Sequence, residues 1–525
     1  MVGMTRRPRL AVSSAVLTAV TLVLAGCVPA APGADPRYAT DADHPQGEVT
    51  TSAAPEGPPP VSAPNNDMTW HECTTKTFDD AHVPKIPGIT LQCTTFDADL
   101  DPLSGSSATV NIGVVQAKSD KTPDDAGPLV FTTGTDLPSS VQLPVWLSRA
   151  GADVLDTHPI IAVDRRGIGL SSAATCLDSY DRRDIADQAQ FEPGDDPVAA
   201  LNTIAITAAN NCTDAVPQSG IAYDNAHAAE DLEALRSRLD VPGLALAGVG
   251  NGAQVALAYA SSHPDKVARL ILDSPLTLGV SAENVAEQRV QGQQAALDAF
   301  AAQCAAVECA LGPDPKGAVD ALISDARAGR GPGGISVAAL VHAITTALGF
   351  PPTDPVGSTT ALADALAAAR SGDTRLLTEM VDRAQWLRGS DGQFINSCSD
   401  ALNRPTPDRV RELVVAWGKQ YPQFGTVAAL DMVRCLPWPS SNPTEPPADL
   451  GVDVLLLGVA KNDPIVGSGV AATAATVLNA GSASKRVMWQ GVGHGAAIYS
   501  GCALPPLIDY LVSGVLPETD TFCPA

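Results

Sequence analysis

The residues with the clearest capacity for chemistry are a histidine, an acid and a turn rich in glycine. The turn spans residues 248–252 (GVGNG), between the apolar run Leu244–Ala247 and the alanine-rich run Ala253–Ser261. Asp463 and His494 each follow a later apolar run. A histidine oriented by a carboxylate can take the proton of an attacking hydroxyl, and a sharp strand–turn–helix is where such a hydroxyl is held. Together these segments indicate acyl-transfer chemistry.

The centre of the turn is Gly250, where a nucleophilic serine would be needed. A sharp turn of this kind holds its central residue in a strained conformation, which glycine adopts at little cost. Glycine therefore relieves the strain but removes the attacking atom. Each feature also has an ordinary interpretation: a tight strand–helix turn for residues 248–252, a surface histidine for His494 and an Asn-Asp-Pro turn for Asp463.

Size and composition indicate a large packed protein. With 525 residues, 45% of them hydrophobic, and a mean hydropathy of +0.07, the chain exceeds one ordinary core. We expect two domains, or one large domain with an insertion. The formal net charge of −25 argues against nucleic acids and anionic lipids as partners, because both would be repelled. An acidic surface that serves only solubility is the alternative.

The first residues have the pattern of an export signal. Three arginines precede the apolar run Leu10–Leu24, which is too short to cross a membrane comfortably. Leu-Ala-Gly then precedes Cys27 and resembles the lipobox of bacterial lipoproteins, with a free thiol as the alternative. We predict a signal peptide over 1–26, lipidation of Cys27 and a Pro/Ala-rich tether over 27–66. The protein would be exported and lipid-anchored to the outer face of the bacterial cell membrane.

Apolar strands and helical segments alternate along much of the chain. After a predicted hairpin, Ile89–Phe96 with Thr109–Gln116, this alternation is typical of a mostly parallel, doubly wound sheet of the α/β class. The predicted strands are Leu129–Thr132, Pro159–Val163, Leu244–Ala247, Ala268–Leu272, Val452–Leu457 and Arg486–Gln490. Alanine-rich amphipathic stretches without strands predict an inserted helical cap. The expected boundaries are 67–276 for the first part of the core, 277–440 for the cap and 441–525 for the last part of the core.

Three stretches of the sequence resemble one known family. They are Trp70…Cys73…Cys93, the run 164–171 (DRRGIGLS), and the stretch from Asp463 through His494 to Cys523. From Trp70 onward the chain resembles the exported bacterial α/β-hydrolases of the tripeptidyl aminopeptidase-like (TAP-like) family. The resemblance implies an α/β-hydrolase fold with a helical cap, a relationship to serine exopeptidases, and neither cofactor nor metal.

The family's site, carried onto this sequence residue by residue, has an altered nucleophile. Gly250 takes the nucleophile position, whereas Asp463 and His494 match the acid and the histidine of the triad. The oxyanion hole is expected from the backbone N–H groups of Asn251 and Gly134. The family's G-G-P-G loop reads T-G-T-D here, which is a second departure from the family pattern.

The eleven cysteines fit an oxidising compartment. Without Cys27 an even number remains, and no C-x-x-C or H-x-x-x-H pattern points to zinc. Proximity along the chain and the family resemblance suggest five disulfides, while the sequence alone leaves their connectivity open. The suggested pairs are Cys73–Cys93, Cys176–Cys212, Cys304–Cys309, Cys398–Cys435 and Cys502–Cys523.

Three hypotheses for the function follow from these observations. The first is a membrane-anchored relative of serine exopeptidases with lost or much reduced hydrolase activity, which binds a peptide or acyl-ester ligand in the cleft under the cap. The second is an active peptidase or esterase with a displaced nucleophile, for which Ser139 and Ser140 in the altered loop are candidates. The third is a non-catalytic interaction protein of the cell envelope. None of them involves nucleic acid, and the oligomeric state stays open.

Overall fold

The computed structural model describes residues 58–525, except for 67, 103–106, 189–193, 217–221, 353 and 440–441. These residues belong to one compact unit, Pro55–Ala525. The predicted signal peptide, Cys27 and most of the predicted tether lie outside the described residues.

A ten-stranded sheet forms the centre of the described chain. Its middle strands are apolar runs that are buried on both faces, as a parallel sheet covered by helices requires. The strands are β1 (His71–Glu72), β2 (Ile89–Asp99), β3 (Thr109–Ser119), β4 (Leu129–Thr132), β5 (Ile160–Val163), β6 (Leu244–Val249), β7 (Val267–Asp273), β8 (Val454–Val459), β9 (Ser484–Trp489) and β10 (Thr521–Cys523).

The sheet combines an antiparallel edge with a parallel body. Its strand order is β1-β2-β3-β5-β4-β6-β7-β8-β9-β10. Strands β1, β2, β3 and β5 pair antiparallel in that order, whereas every neighbouring pair from β5 to β10 is parallel. The loops after β4, β6, β8 and β9 therefore emerge at the same edge of the sheet. Gly250, Asp463 and His494 all lie in loops at this edge.

Helices cover both faces of the sheet and form a further layer between β7 and β8. Several begin at an Asp or Ser whose side chain accepts N–H groups of the first turn, for example Asp196, Asp224 and Ser281. The helices are α1 (Thr74–Ala81), α2 (Ser139–Arg149), α3 (Ser179–Ala186), α4 (Pro197–Ala215), α5 (Asn225–Leu239), α6 (Asn251–Ser262), α7 (Ala282–Ala306), α8 (Pro315–Arg327), α9 (Val337–Gly349), α10 (Pro355–Arg370), α11 (Arg375–Arg388), α12 (Asp391–Asp400), α13 (Pro407–Gln420), α14 (Gly425–Asp431), α15 (Val470–Asn479), α16 (Ala496–Tyr499) and α17 (Leu504–Ser513). No helix of the described residues has both the length and the apolar character that crossing a membrane requires.

Three large apolar clusters hold these layers together. The first lies on the face of the sheet covered by α5 and α6, and the second lies on the face covered by α2 and α17. Along β6, Leu244 and Leu246 belong to the first cluster, whereas Ala245 and Ala247 belong to the second, because successive side chains of a strand point to opposite faces. The third cluster is formed mainly by helices between β7 and β8. The inserted helices therefore have a core of their own.

Most predicted strands occur in the structure with shifted ends. β4 has the predicted bounds, and β6 begins at the predicted residue but continues to Val249. The hairpin strands continue past their predicted ends to Asp99 and Ser119, since the hydrogen-bonded ladder extends beyond the apolar alternation. Strands β1 and β10 were not predicted, because runs of two and three residues are too short to show a periodic pattern.

Five disulfides join the ten cysteines in the pairs that the sequence analysis suggested. They are Cys73–Cys93, Cys176–Cys212, Cys304–Cys309, Cys398–Cys435 and Cys502–Cys523. Cys398–Cys435 connects α12 to the short helical turn after α14, within the inserted helices. The other four bonds likewise link segments that are close along the chain, so they brace local structure.

Candidate active site

The glycine-rich turn adopts a sharp strand–turn–helix conformation. β6 ends at Val249 and α6 begins at Asn251, so Gly250 alone connects them. Gly250 has φ = 59° and ψ = −118°, a combination that residues with a Cβ avoid. Its N–H donates to the carbonyl of Asp273 at 2.9 Å, and its carbonyl accepts from the N–H of Ala253 at 3.1 Å. The turn thus has the geometry that presents a nucleophile, without the nucleophile.

The glycines on either side of Gly250 allow the backbone to pack closely. A Cβ on Gly248 would lie 2.4 Å from the carbonyl oxygen of Gly252, and a Cβ on Gly252 would lie 2.0 Å from that of Thr132. Since Cβ atoms essentially never come closer than 3.0 Å to such atoms, only glycine fits at both positions. The loop after β4 therefore lies directly against the turn.

Asp463 and His494 come together after β8 and β9. Nδ1 of His494 lies 3.0 Å from Oδ2 and 3.2 Å from Oδ1 of Asp463. Oδ1 of Asp463 also accepts the N–H groups of Ile465 at 2.9 Å and Val466 at 3.1 Å, which fixes the carboxylate in place. Both side chains are buried. The pair has the arrangement in which a carboxylate orients a catalytic imidazole.

The carboxylate of Asp136 fills the space beside Gly250. Its Oδ2 lies 3.3 Å from Nε2 of His494, which is an ion-pair distance without the alignment of a hydrogen bond. The same oxygen accepts the N–H of Asn251 at 2.7 Å. A Cβ built on Gly250 would lie 1.9 Å from this oxygen and 2.5 Å from Nε2 of His494. Asp136 therefore takes the space that a serine side chain at position 250 would need.

The expected oxyanion hole is not open in the structure. The N–H of Asn251 points into the site, but it already donates to Asp136. The N–H of Gly134, the other predicted donor, also has a partner, since it donates to Oγ1 of Thr132 at 3.3 Å. Gly134 has φ = 60°, and a Cβ there would lie 2.3 Å from Oδ1 of Asn251. This glycine therefore lets the loop pack against the start of α6.

The two serines considered as displaced nucleophiles do not contact His494. Oγ of Ser140 donates to Oδ2 of Asp164 at 2.7 Å. Oγ of Ser139 accepts the N–H of Thr133 at 3.0 Å. Both hydroxyls thus fix the start of α2 and the loop before it, and neither is placed to attack a ligand beside His494.

Arg165, in the run 164–171, helps to hold the site in place. Nη1 of Arg165 donates to Oδ1 of Asn251 at 2.5 Å and to Oδ1 of Asn225 at 2.8 Å. Nη2 of Arg165 pairs with Asp400, at the end of α12, at 2.9 Å. Because Arg165 is buried, these bonds hold Asn251 in place and connect the core to the inserted helices.

Two family models match regions of the chain that contain Gly250, Asp463 and His494. Residues 141–314 match the model of the alpha/beta hydrolase fold and residues 421–523 match that of the TAP-like protein family. The first region contains Gly250, and the second contains Asp463 and His494. The chain has the α/β-hydrolase fold, and its C-terminal region matches the TAP-like family. The predicted fold class is thereby confirmed, and so is the predicted resemblance to the TAP-like family.

Curated relatives of this chain carry the name of a serine protease. The chain is 25% identical over 312 residues to "Serine protease Hip1" of Mycobacterium tuberculosis, and equally to the protein of that name from Mycobacterium bovis. The alignment covers 58% of this chain and 54% of each relative. The chain therefore spans about half the length of the curated relatives it matches.

The solved structures that match the chain are distant in sequence. A bacterial membrane phospholipase A is 13% identical, with a TM-score of 0.35 over 84% of this chain and 89% of its own. A thermophilic esterase from Thermogutta terrifontis is 14% identical, with a TM-score of 0.34 over 80% and 94%. Esterase E22 is 11% identical, with a TM-score of 0.38 over 81% and 100%. Such distant matches say nothing about the reaction.

The electrostatics of the site favour a charged histidine. Burial lowers the pKa of His494, but Asp463 and Asp136 outweigh it and raise this pKa to about 10. Burial acts to raise the pKa of Asp136, yet its contacts with His494 and with the N–H of Asn251 hold it below the ordinary value. At neutral pH the site therefore contains an imidazolium between two carboxylates. An imidazolium cannot accept a proton from a nucleophile.

His494 is ion-paired on both sides of its ring, but the site lacks the nucleophile of a serine hydrolase. Among the described residues, no hydroxyl or thiol is hydrogen-bonded to His494. In the same part of the chain, no group of three or more His, Cys, Asp or Glu side chains is placed to hold a metal ion. Sequence reasoning missed the role of Asp136. The sequence did contain a sign of this role, since the T-G-T-D loop ends in an acidic residue where the family pattern has only glycine and proline.

Proposed function

We propose that this protein is a ligand-binding relative of serine exopeptidases whose hydrolase activity is lost or much reduced. The position of Asp136 carries the proposal. Its carboxylate fills the space beside Gly250, pairs with His494 and accepts the N–H of Asn251. The nucleophile, the base and an oxyanion donor are thus all unavailable. In a well-studied serine protease, loss of the nucleophile alone lowers turnover by about a million-fold.

Asp136 also opposes the transition state of acyl transfer. In that reaction negative charge develops on the carbonyl oxygen, and backbone N–H groups must stabilise it. Here an anionic oxygen already lies 2.7 Å from the nitrogen of Asn251. A carbonyl group approaching Gly250 would meet a like charge in a buried site, where repulsion is strong. A serine at position 250 would therefore not be sufficient to restore the reaction.

Labelling with a fluorophosphonate tests this proposal. We expect no labelling of the natural protein, and none of Gly250→Ser, because the new Cβ would lie 1.9 Å from Asp136. We expect labelling of the double variant Gly250→Ser/Asp136→Gly, and its loss when His494→Ala is added. Peptidase and esterase turnover of the same samples should follow the labelling.

The controls separate lost chemistry from lost structure. Circular dichroism and the melting temperature of each variant show whether it is folded. Labelling of the natural protein that disappears in His494→Ala would overturn the proposal. Labelling of Gly250→Ser alone would show that Asp136 does not block the site.

Asp136 is itself the candidate for a displaced nucleophile, which is the second possible function. Its carboxylate lines the cavity under the inserted helices and contacts His494. Attack of this carboxylate on an acyl carbon would release an alcohol or amine, protonated by His494, and leave a mixed anhydride. The anhydride carries no charge, so the pKa of His494 would fall and the ring could deprotonate the water that cleaves it. Turnover that resists fluorophosphonate but disappears in Asp136→Asn would favour this function.

The class of ligand is part of the same proposal. A peptide or an acyl ester is supported by the relatives named serine proteases and by the cavity beside Asp136 and Asn251. Binding is measured by calorimetry with short peptides and short-chain esters. A cleft that binds neither class would favour the third hypothesis, a non-catalytic interaction protein of the cell envelope.

Export and lipid anchoring are further proposals, which rest on residues 1–27. Five disulfides support an oxidising compartment. An alkyne-bearing fatty acid supplied to cells should label the natural protein and Ser52→Ala, but not Cys27→Ser. Absence of label from the natural protein would refute the anchor.

A further inference from the structure

A cavity beside the site concentrates positive charge. It has a volume of about 180 Å³ and extends from Asp136 and Asn251 on the core to helices α7, α9 and α14. Arg289 and Arg434 line it. Arg388 lies close enough for both of these arginines and Asp136 to influence its pKa. In a chain with a net charge of −25, three neighbouring guanidinium groups indicate a specific use.

These partly buried arginines lack the partners that guanidinium groups withdrawn from solvent normally have. Nε of Arg289 donates to the carbonyl of Ile465 at 2.8 Å, but its terminal nitrogens bond to no described residue. Arg434 forms no hydrogen bond or salt bridge with the described residues, and the buried Nε of Arg388 is also unpaired there. Burial lowers the pKa of Arg388 to about 10, and repulsion from Arg289 contributes. Unpaired charges at partly buried positions are costly, so a bound anion would stabilise them.

The acidic groups that face the cavity are already paired. The pairs are Asp136–His494 at 3.3 Å, Asp431–His342 at 3.1 Å and Asp400–Arg165 at 2.9 Å. A further carboxylate, Asp463, pairs with the far side of the His494 ring. Arg404, also in the wall, donates to two backbone carbonyls and adds another cation. With His494 charged, cations outnumber carboxylates around this cavity.

The rest of the wall and the volume limit what the anion can be. Apolar side chains of the wall include Leu276, Leu278, Val341, Val427 and Met432. A cavity of roughly 150 Å³ holds benzene, so this one has room for a charged group with a short apolar tail. A dianion would be repelled by Asp136 and Asp431, whereas a monoanion matches the modest surplus of positive charge.

We propose that this cavity binds a monocarboxylate with a short apolar group, held by Arg289 and Arg434. The planar guanidinium group matches the two oxygens of a carboxylate. A free short-chain acid and the C-terminus of a short apolar peptide share this chemistry. The proposal rests on the ligand-binding role of the cleft, but it does not depend on the loss of hydrolysis.

Calorimetry with hexanoate and the purified protein tests the inference. Hexanol, hexylamine and hexyl phosphate serve as neutral, cationic and dianionic comparisons, and hexanoate should bind tightest. Arg434→Gln should weaken hexanoate binding about 10–100-fold, which is the expected effect of losing a hydrogen bond between charged groups. Arg375→Gln, an exposed arginine of α11, is the matched control and should bind as the natural protein does. Comparing acetyl-leucyl-leucine with its C-terminal amide shows whether the acid group of a peptide is recognised in the same way.

A binding role and a structural role give different results. Because Arg434 bonds to no described residue, Arg434→Gln should not lower the melting temperature of the ligand-free protein. No hexanoate binding, equal binding of hexanol, a preference for hexylamine or hexyl phosphate, or unchanged affinity in Arg434→Gln would each overturn the inference. Fluorophosphonate labelling of the natural protein would instead overturn the loss of hydrolysis and leave the hexanoate result standing.

Discussion

Replacing Gly250 by alanine should destabilise the protein, in part through a clash with Asp136. The added Cβ would lie 1.9 Å from Oδ2 of Asp136 and 2.5 Å from Nε2 of His494, whereas real Cβ atoms keep at least 3.0 Å. The carboxylate must therefore retreat, and its 2.7 Å hydrogen bond with the N–H of Asn251 breaks. Gly250→Ala thus tests whether Asp136 fills the space beside the turn.

The size of the effect follows from two contributions. Loss of a hydrogen bond to a charged group costs about 1.5–3 kcal/mol. A backbone conformation that a residue with a Cβ rarely adopts costs about 1–3 kcal/mol. We therefore expect Gly250→Ala to lower the free energy of unfolding by about 2.5–6 kcal/mol, a large part of the 5–15 kcal/mol typical of native proteins.

Chemical denaturation of Gly250→Ala, Asp136→Ala and the double variant measures this contribution. The cost of Gly250→Ala should be smaller by about 1.5–3 kcal/mol when Asp136 is already absent, since the hydrogen bond that it breaks no longer exists. Gly329→Ala is the matched control, because Gly329 has φ = 71° and no atom within 4 Å of an added Cβ. If Gly250→Ala costs no more than Gly329→Ala, or costs the same with and without Asp136, the reasoning is refuted.

Three other predictions concern charges buried in the fold. The pKa of His494, measured by NMR, should be well above 7. It should fall in Asp136→Asn, because this change removes one of the two carboxylates that raise it. An unchanged pKa would contradict the contact between Asp136 and His494. Because the pKa of His494 is raised from 6.5 to about 10, its contribution to stability is complete below pH 6.5 and is lost as the pH rises toward 10. Denaturation of His494→Gln and of the natural protein across this pH range would reveal the loss. Asp231→Ala should lower the free energy of unfolding by about 3–5 kcal/mol, because it leaves the buried Arg166 without the carboxylate that it contacts at 2.7 and 2.9 Å. Glu379→Ala removes a carboxylate from an exposed ion pair with Arg375 and should change the free energy of unfolding little. Equal losses of stability in the two variants would show that burial is not the cause.

The fold was largely predictable because the sheet is buried on both faces. Central strands such as β4 and β6 are short apolar runs between turns, and this pattern is visible in the sequence. The edge strands β1 and β10 depend on pairing with β2 and β9, which no local pattern reveals. The observed strand ends differ from the predicted ones for the same reason, because pairing with the neighbouring strand determines where a strand stops.

The site was predictable only in part. Asp463 and His494 follow late strands, so the order of elements was enough to place them at one edge of the sheet. The position of Asp136 depends on the left-handed conformation of Gly134 and on contact with a turn that lies far along the chain. The clustering of Arg289 and its two neighbouring arginines likewise arises only when separate helices pack together. Local sequence carries no signal for such contacts.

The close fit around Gly250 makes a nucleophile at this position difficult to gain in evolution. A serine introduced at position 250 would meet the carboxylate of Asp136 before it met a substrate. If Asp136 changed first, a buried imidazole would lose a partner, and no nucleophile would yet be present. Neither single substitution brings an advantage that selection for turnover could retain. Gly250 and Asp136, which are distant in the chain but adjacent in space, therefore each restrict what the other can become.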